Sequence, residues 1–148
     1  MPIKLSALIL IIAILANPVI ATKDAYTVNV TGGTKAPGID TIQLGPYLTN
    51  ETFFTLYHYL NDTPGSESSN CDGNCARIWP PFYVEKLNVN PTLNPNDFTN
   101  ITRSDSLKQL AYKGWPLYLY SGDTKPYQAN GQGVKNVWFV TNVTENVT

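Results

Sequence analysis

Residues 55–63 read Thr-Leu-Tyr-His-Tyr-Leu-Asn-Asp-Thr, and residues 116–124 read Pro-Leu-Tyr-Leu-Tyr-Ser-Gly-Asp-Thr. Five of the nine positions are identical: Leu56/Leu117, Tyr57/Tyr118, Tyr59/Tyr120, Asp62/Asp123 and Thr63/Thr124. Each copy runs on through a Gly-containing loop to a tryptophan, Trp79 or Trp138. A repeat of roughly 60 residues predicts two related β units packed together, each too small to bury its own face. Side chains alternate along a strand, so Tyr57 and Tyr59 share one face, as do Tyr118 and Tyr120, with His58 on the other. Each Asp falls where the strand enters a turn, where its carboxylate is suited to accept backbone N–H groups. The plain reading makes the tyrosines a core edge, hydroxyls reaching water or a partner. The sharper one makes the repeated Tyr/Asp set a binding surface.

Strand signals extend outward from this motif. Tyr26–Thr31 alternates, with Tyr26, Val28 and Val30 on one face and Asn29 on the polar one. Thr41–Leu44 and Thr52–Leu60 flank the polar Thr49-Asn50-Glu51 and read as a hairpin. A second hairpin is expected from Lys108–Tyr112 and Trp115–Tyr120 around Lys113-Gly114, and a last strand at Val137–Val143. Asn88–Asn100, with two Pro and five Asn, reads as an irregular exposed loop. No sustained helical period occurs, and only short helical turns near Cys75–Ile78 are expected. The predicted fold is all-β: a compact antiparallel sandwich or barrel-like domain built from two related β units. It would occupy residues 45–143, after an N-terminal strand and linker at 22–44 and before a tail at 144–148.

Residues 1–21 read as a signal peptide. Lys4 precedes an apolar run from Leu5 to Ala16, and Val19-Ile20-Ala21 offers a cleavage site. The run is about 12 residues, short of the ~20 that span a bilayer. Contact with a membrane is expected only if this segment stays uncleaved. Six N-x-[ST] sequons, at Asn29, Asn50, Asn61, Asn100, Asn142 and Asn146, exceed the roughly two that composition would supply. They are N-glycosylation candidates, and both features place the protein outside the cytoplasmic membrane, secreted or at the cell surface. The 148 residues carry net charge −1, which leaves no basic footprint for nucleic acid. Hydrophobic residues at 43% suffice for a packed core and exclude general disorder. Two Cys and one His are too few for a four-ligand Cys/His zinc site, and no c-type haem attachment motif occurs.

The duplicated Y-x-[FWY]-x-x-D pattern resembles the motif of the secreted-repeat or predicted-lipoprotein family of bacteria and archaea. Tyr57-His-Tyr59-Leu-Asn-Asp62 and Tyr118-Leu-Tyr120-Ser-Gly-Asp123 are the two copies. Gly45-Pro-Tyr-Leu-Thr49, Cys71-Asp-Gly-Asn-Cys75 with Trp79-Pro-Pro81, Gln109 to Tyr118, and Asn130 to Trp138 resemble further family segments. The resemblance spans about residues 45–141 and implies an exported β domain of unknown biochemical function. The chain departs from the common pattern in lacking a lipobox cysteine.

An even Cys pair in an exported protein, Cys71 and Cys75, is most simply a disulfide. A redox dithiol is the alternative, at C-x3-C rather than C-x-x-C spacing. His58 is the sole histidine, more simply half-exposed surface than a ligand, and no metal site is expected. Trp79, Trp115 and Trp138 are expected as core aromatics plugging the two units together, with a sugar-stacking platform as the exposed alternative. No catalytic residues or cofactor are nominated. The leading expectation is a non-catalytic interaction or envelope-structural domain with an unidentified envelope or extracellular partner. A redox or electron-transfer accessory protein of the envelope is the competing class.

Overall fold

The computed structural model describes residues 25–32 and 44–143. The signal segment 1–21, the start of the linker, residues 41–43, the tail 144–148 and Asn146 lie outside the described residues. The chain is mostly β, with small antiparallel sheets and one short helix. Strands β1 (Val28–Thr31) and β2 (Tyr47–Asn50) pair with each other. β3 (Tyr57–Tyr59) pairs with β7 (Trp138–Val140), Tyr59 opposite Trp138. β4 (Phe98–Thr102), β5 (Lys108–Tyr112) and β6 (Trp115–Pro116) make the third sheet. Helix α1 covers Gly73–Ile78. Among the described residues the three ladders are joined by isolated bridges and do not close into a barrel.

The two units are interlocked about a pseudo-twofold axis. At its centre Tyr57 N–H donates to the Tyr118 carbonyl and Tyr118 N–H to the Tyr57 carbonyl, both at 2.9 Å. Around it the bonds come in matched pairs. Leu48 N–H donates to Thr141, as Leu110 does to Phe82; Thr141 donates to Leu56, as Phe82 does to Leu117. Leu60 N–H reaches Val137, as Ser121 reaches Ile78. In each pair the motif stretch of one unit, or the hairpin strand before it, is bonded to the closing segment of the other. Every such edge finds its backbone partners across the axis, so neither unit could satisfy its own N–H and C=O groups alone.

The hairpins form with shifted ends. The first is seen at β2, with Thr49 bridging Thr55; of the expected strand Thr41–Leu44, residues 41–43 lie outside the described residues. In the second, Lys113 and Gly114 both take positive φ (48° and 85°), the twist a two-residue hairpin needs. A Cβ on Gly114 would lie 2.8 Å from the Gly65 nitrogen, so no other residue fits there without a shift. The expected loop at 88–100 contains the start of β4: Phe98 and Ile101 are buried, and the strand pairs with β5. The Asn-rich run hid it, because the two apolar anchors lie three residues apart and break the alternation. Asn29 is also turned inward, its amide donating to the Asn50 carbonyl at 3.3 Å.

Apolar side chains gather in two clusters. One holds Leu48, Leu56, Phe82, Leu110 and Leu117 between the hairpins. The other holds Tyr47, Tyr57, Tyr118, Trp79 and Trp138 at the axis.

Candidate functional site

The repeated motif meets itself at the axis. Tyr57 Oη donates to Asp123 Oδ2 at 2.7 Å, and Tyr118 Oη to Asp62 Oδ2 at 2.5 Å. Each aspartate thus takes the tyrosine of the other copy. The second oxygens close the loops after the motif: Asp62 Oδ1 accepts from Asn70 N–H at 2.6 Å, and Asp123 Oδ1 from Asn130 N–H at 2.9 Å. The expectation that the aspartates accept backbone donors describes half of this arrangement. The crossed tyrosine bonds were not legible, because nothing in one copy's spacing reports where the other copy lies.

All four groups are buried. Burial pushes both carboxyls above the usual aspartate range, against the tyrosine hydroxyls and backbone N–H groups that favour the charged form. Arg103 adds its charge to the second effect at Asp62. Burial, then the neighbouring carboxylate, raises Tyr57 and Tyr118 far enough that both stay protonated.

The second tyrosines build a different object. Tyr59 stacks on Trp138 (centroids 4.2 Å), Trp138 on Trp79 (3.8 Å, planes 2° apart), and Trp79 on Tyr120 (4.3 Å). The result is a ladder of four rings, again alternating between units. Tyr57 meets Trp79 edge-on at 5.4 Å, and Tyr118 meets Trp138 edge-on at 5.1 Å. A Cβ on Gly131 would lie 2.7 Å from the Trp79 ring and 2.8 Å from Tyr57, so only a glycine lets this backbone pass. Both tryptophans are buried, while Tyr59 and Tyr120 are half-buried at the rim. A groove of about 490 Å³ opens along the ladder, between Asn74, Cys75 and Ile78 on one side and Val134, Lys135 and Val137 on the other.

Cys71 and Cys75 are joined by a disulfide at the start of α1. Beside it lies a group that sequence reading missed. Arg103 is buried, donating to Cys71 O (2.6 Å), Ser69 Oγ (2.8 Å) and Gln109 Oε1 (3.0 Å), and it pairs with Asp105 at 3.1 Å. Ser69 Oγ lies 2.6 Å from Tyr118 Oη, so the guanidinium supports the motif through one intermediate. A lone Arg after a strand carries no signal of this kind.

Trp115 is buried away from the ladder, 5.3 Å from the His58 ring. His58 itself is buried rather than half-exposed, packed between Trp115 and Phe139, with no hydrogen-bond partner at Nδ1. Burial lowers its pKa to about 4. Among the described residues no group of three or more His, Cys, Asp or Glu is placed to hold a metal ion.

The sequons differ in access. Asn61 and Asn100 are exposed, whereas Asn29 and Asn50 are buried. Asn50 Oδ1 also accepts from Thr52 N–H and Phe54 N–H, which fixes the first hairpin turn. Asn142 is partly buried.

The architecture is that of a duplicated β repeat whose two copies complete one another at a shared axis. The model of a secreted repeat of unknown function matches the chain twice, over residues 38–83 and 99–141, more than half its length. The chain belongs to that family, and the two matched segments are the two units described above. No curated protein and no solved structure matches it. The family's description as a secreted repeat points to a location outside the cytoplasm.

Proposed function

We propose that this protein is an exported, non-catalytic β domain of the cell surface or extracellular space. It would act in interaction or envelope structure, and its groove would receive an envelope or extracellular partner. The observation that carries this reading is the reciprocal pairing of the motif. Tyr57, Tyr118, Asp62 and Asp123 bind one another and buried backbone, so the motif's polar atoms are used to hold the units together. What the motif offers outward is the half-buried Tyr59 and Tyr120 along an apolar groove, with Lys135 exposed at its edge. A concave, mostly apolar surface with few polar groups suits recognition.

The test is in-place crosslinking. A photoreactive residue at Lys135, on the groove, is compared with one at Leu107, exposed but not lining it, in the native host. A discrete adduct from position 135 alone supports the reading. Equal labelling from both positions, or none from 135, rejects it. A redox accessory role is the second reading. It is favoured by four aromatic rings in contact, with the Cys75 end of the disulfide on the same groove.

A further inference from the structure

The buried tyrosine–aspartate pairs and the ring ladder touch each other, and the two together have a chemistry that neither has alone. We propose that they form a proton-coupled trap for oxidising equivalents. A small one-electron oxidant removes an electron at Tyr59 or Tyr120. The electron is replaced through Trp138 and Trp79 from Tyr57 or Tyr118, whose hydroxyl proton passes to Asp123 or Asp62. This rests on the redox reading above and deepens it.

The step balances. Tyr57–OH, the Asp123 carboxylate and one oxidising equivalent give a neutral tyrosyl radical, a protonated Asp123 and the reduced oxidant. A one-electron reductant reverses it, the proton returning from Asp123 to the phenolic oxygen. Tyr118 and Asp62 do the same in the other half.

Four observations carry the inference. The path is continuous, with ring centroids 3.8–4.3 Å apart along the ladder and 5.1–5.4 Å from each tryptophan to its buried tyrosine. The proton's route already exists as hydrogen bonds of 2.7 and 2.5 Å, so no heavy atom needs to travel. The electrostatics favour the product. A buried carboxylate is costly, and the transfer leaves an uncharged radical beside an uncharged acid, whereas a hole left on tryptophan would keep a cation among apolar rings. Burial already holds both carboxyls above their ordinary range, which makes them better proton acceptors. Finally, no sulfur group among the described residues competes for the oxidant: none is a free cysteine, and the one methionine is Met1. Tyr57 and Tyr118 are fully buried, which shields a radical there from coupling with another molecule.

The experiment is flash photolysis of the purified folded protein, with photogenerated tris(bipyridine)ruthenium(III) as oxidant and persulfate as sacrificial acceptor. Freeze-quench electron paramagnetic resonance follows the radical. Wild type should give a long-lived tyrosyl signal that forms more slowly in D2O. The Tyr57→Phe/Tyr118→Phe double variant should lose that signal and leave a tryptophan radical instead. With oxidant in excess, so that both sites are filled in wild type, Tyr57→Phe alone should lose about half of it, the share of one of two equivalent traps. Asp62→Asn/Asp123→Asn removes the proton's destination and should leave mostly the tryptophan radical, with little tyrosyl formed. A wild type without a long-lived tyrosyl, or without a D2O effect, overturns the proposal. So does an unchanged signal in the double Phe variant, which would place the radical on exposed tyrosines such as Tyr127. Should the double variants fail to fold, the single Phe variant and the D2O comparison on wild type still decide. The photochemistry needs no physiological partner, so its failure is separable from that of a wider redox role.

Discussion

In the first unit, the loop from Asp62 to Trp79 is tied by the Cys71–Cys75 disulfide and braced by buried Arg103. In the second, the loop from Asp123 to Trp138 has neither. Its backbone passes the rings at Gly131, where Tyr57 Oη accepts the Gly131 N–H at 3.2 Å. Yet both loops deliver an Asn N–H to the motif aspartate and a tryptophan to the same stack. The middle of the motif differs too: His58 in one copy is Leu119 in the other. The axis therefore needs its crossed Tyr–Asp bonds and paired indoles, while the means of holding each loop is free to diverge.

The sharpest test of that equivalence is the ladder. Trp79→Ala and Trp138→Ala should each cost about 3–5 kcal/mol, as large buried aromatics do, and by similar amounts. Urea unfolding reads both, and a large disparity would mean that the stack belongs to one unit.

His58 should mark where the units differ. Its folded pKa of about 4 lies below its ordinary 6.5, so its contribution is full above pH 6.5 and lost as pH falls toward 4. The loss over that window is about 3 kcal/mol. Asp62 and Asp123, raised by burial, act oppositely: their contribution is full below the ordinary aspartate range and shrinks as pH rises through their folded values. His58→Leu, which installs the other unit's residue, should remove the acid loss and leave the carboxylate trend. Stability measured from pH 4 to 7 in both proteins checks this. An unchanged slope would show that His58 is not the acid-sensitive group.

Asp62→Ala and Asp123→Ala should each cost about 1–3 kcal/mol, with Asn recovering part of it, because an unpaired buried donor is left behind. A double-mutant cycle tests the crossing itself. Tyr57→Phe should couple to Asp123→Asn by about 0.5–3 kcal/mol, and only weakly to Asp62→Asn. The reverse result would assign each tyrosine to its own copy.

Cys71→Ser/Cys75→Ser should lower stability by about 2 kcal/mol, small because the loop is short. Hydrogen exchange should rise over residues 62–79 and not over 123–138. The smallest effects fall on the sequons. Asn100→Gln should change stability by no more than about 0.5 kcal/mol, as exposed positions do. Asn50→Gln should cost more, since its side chain caps the first hairpin turn. In a glycosylating host, peptide mass spectrometry should find glycan on Asn61 or Asn100 in preference to Asn29 and Asn50.

Local pattern determined much of this molecule. The duplication, the β class, the Lys113-Gly114 turn, the short helix near Cys75 and the membership of a secreted-repeat family all follow from residues near one another in the chain. A turn needs only its own φ values, and strand alternation only its own side chains. Strand β4 was missed because Phe98 and Ile101 do not alternate, and His58 was misplaced because its cover, Trp115 and Phe139, comes from distant segments. The tertiary structure alone decided which partner each motif residue takes. Tyr57 and Asp123 are 66 residues apart, and Tyr118 and Asp62 are 56 apart. A short strand must find its hydrogen bonds somewhere, and here the other unit's edge supplied them. That choice crossed the two copies, buried their tyrosines and carboxylates together and stacked their tryptophans, because the edge each unit lacked was the one its twin left open.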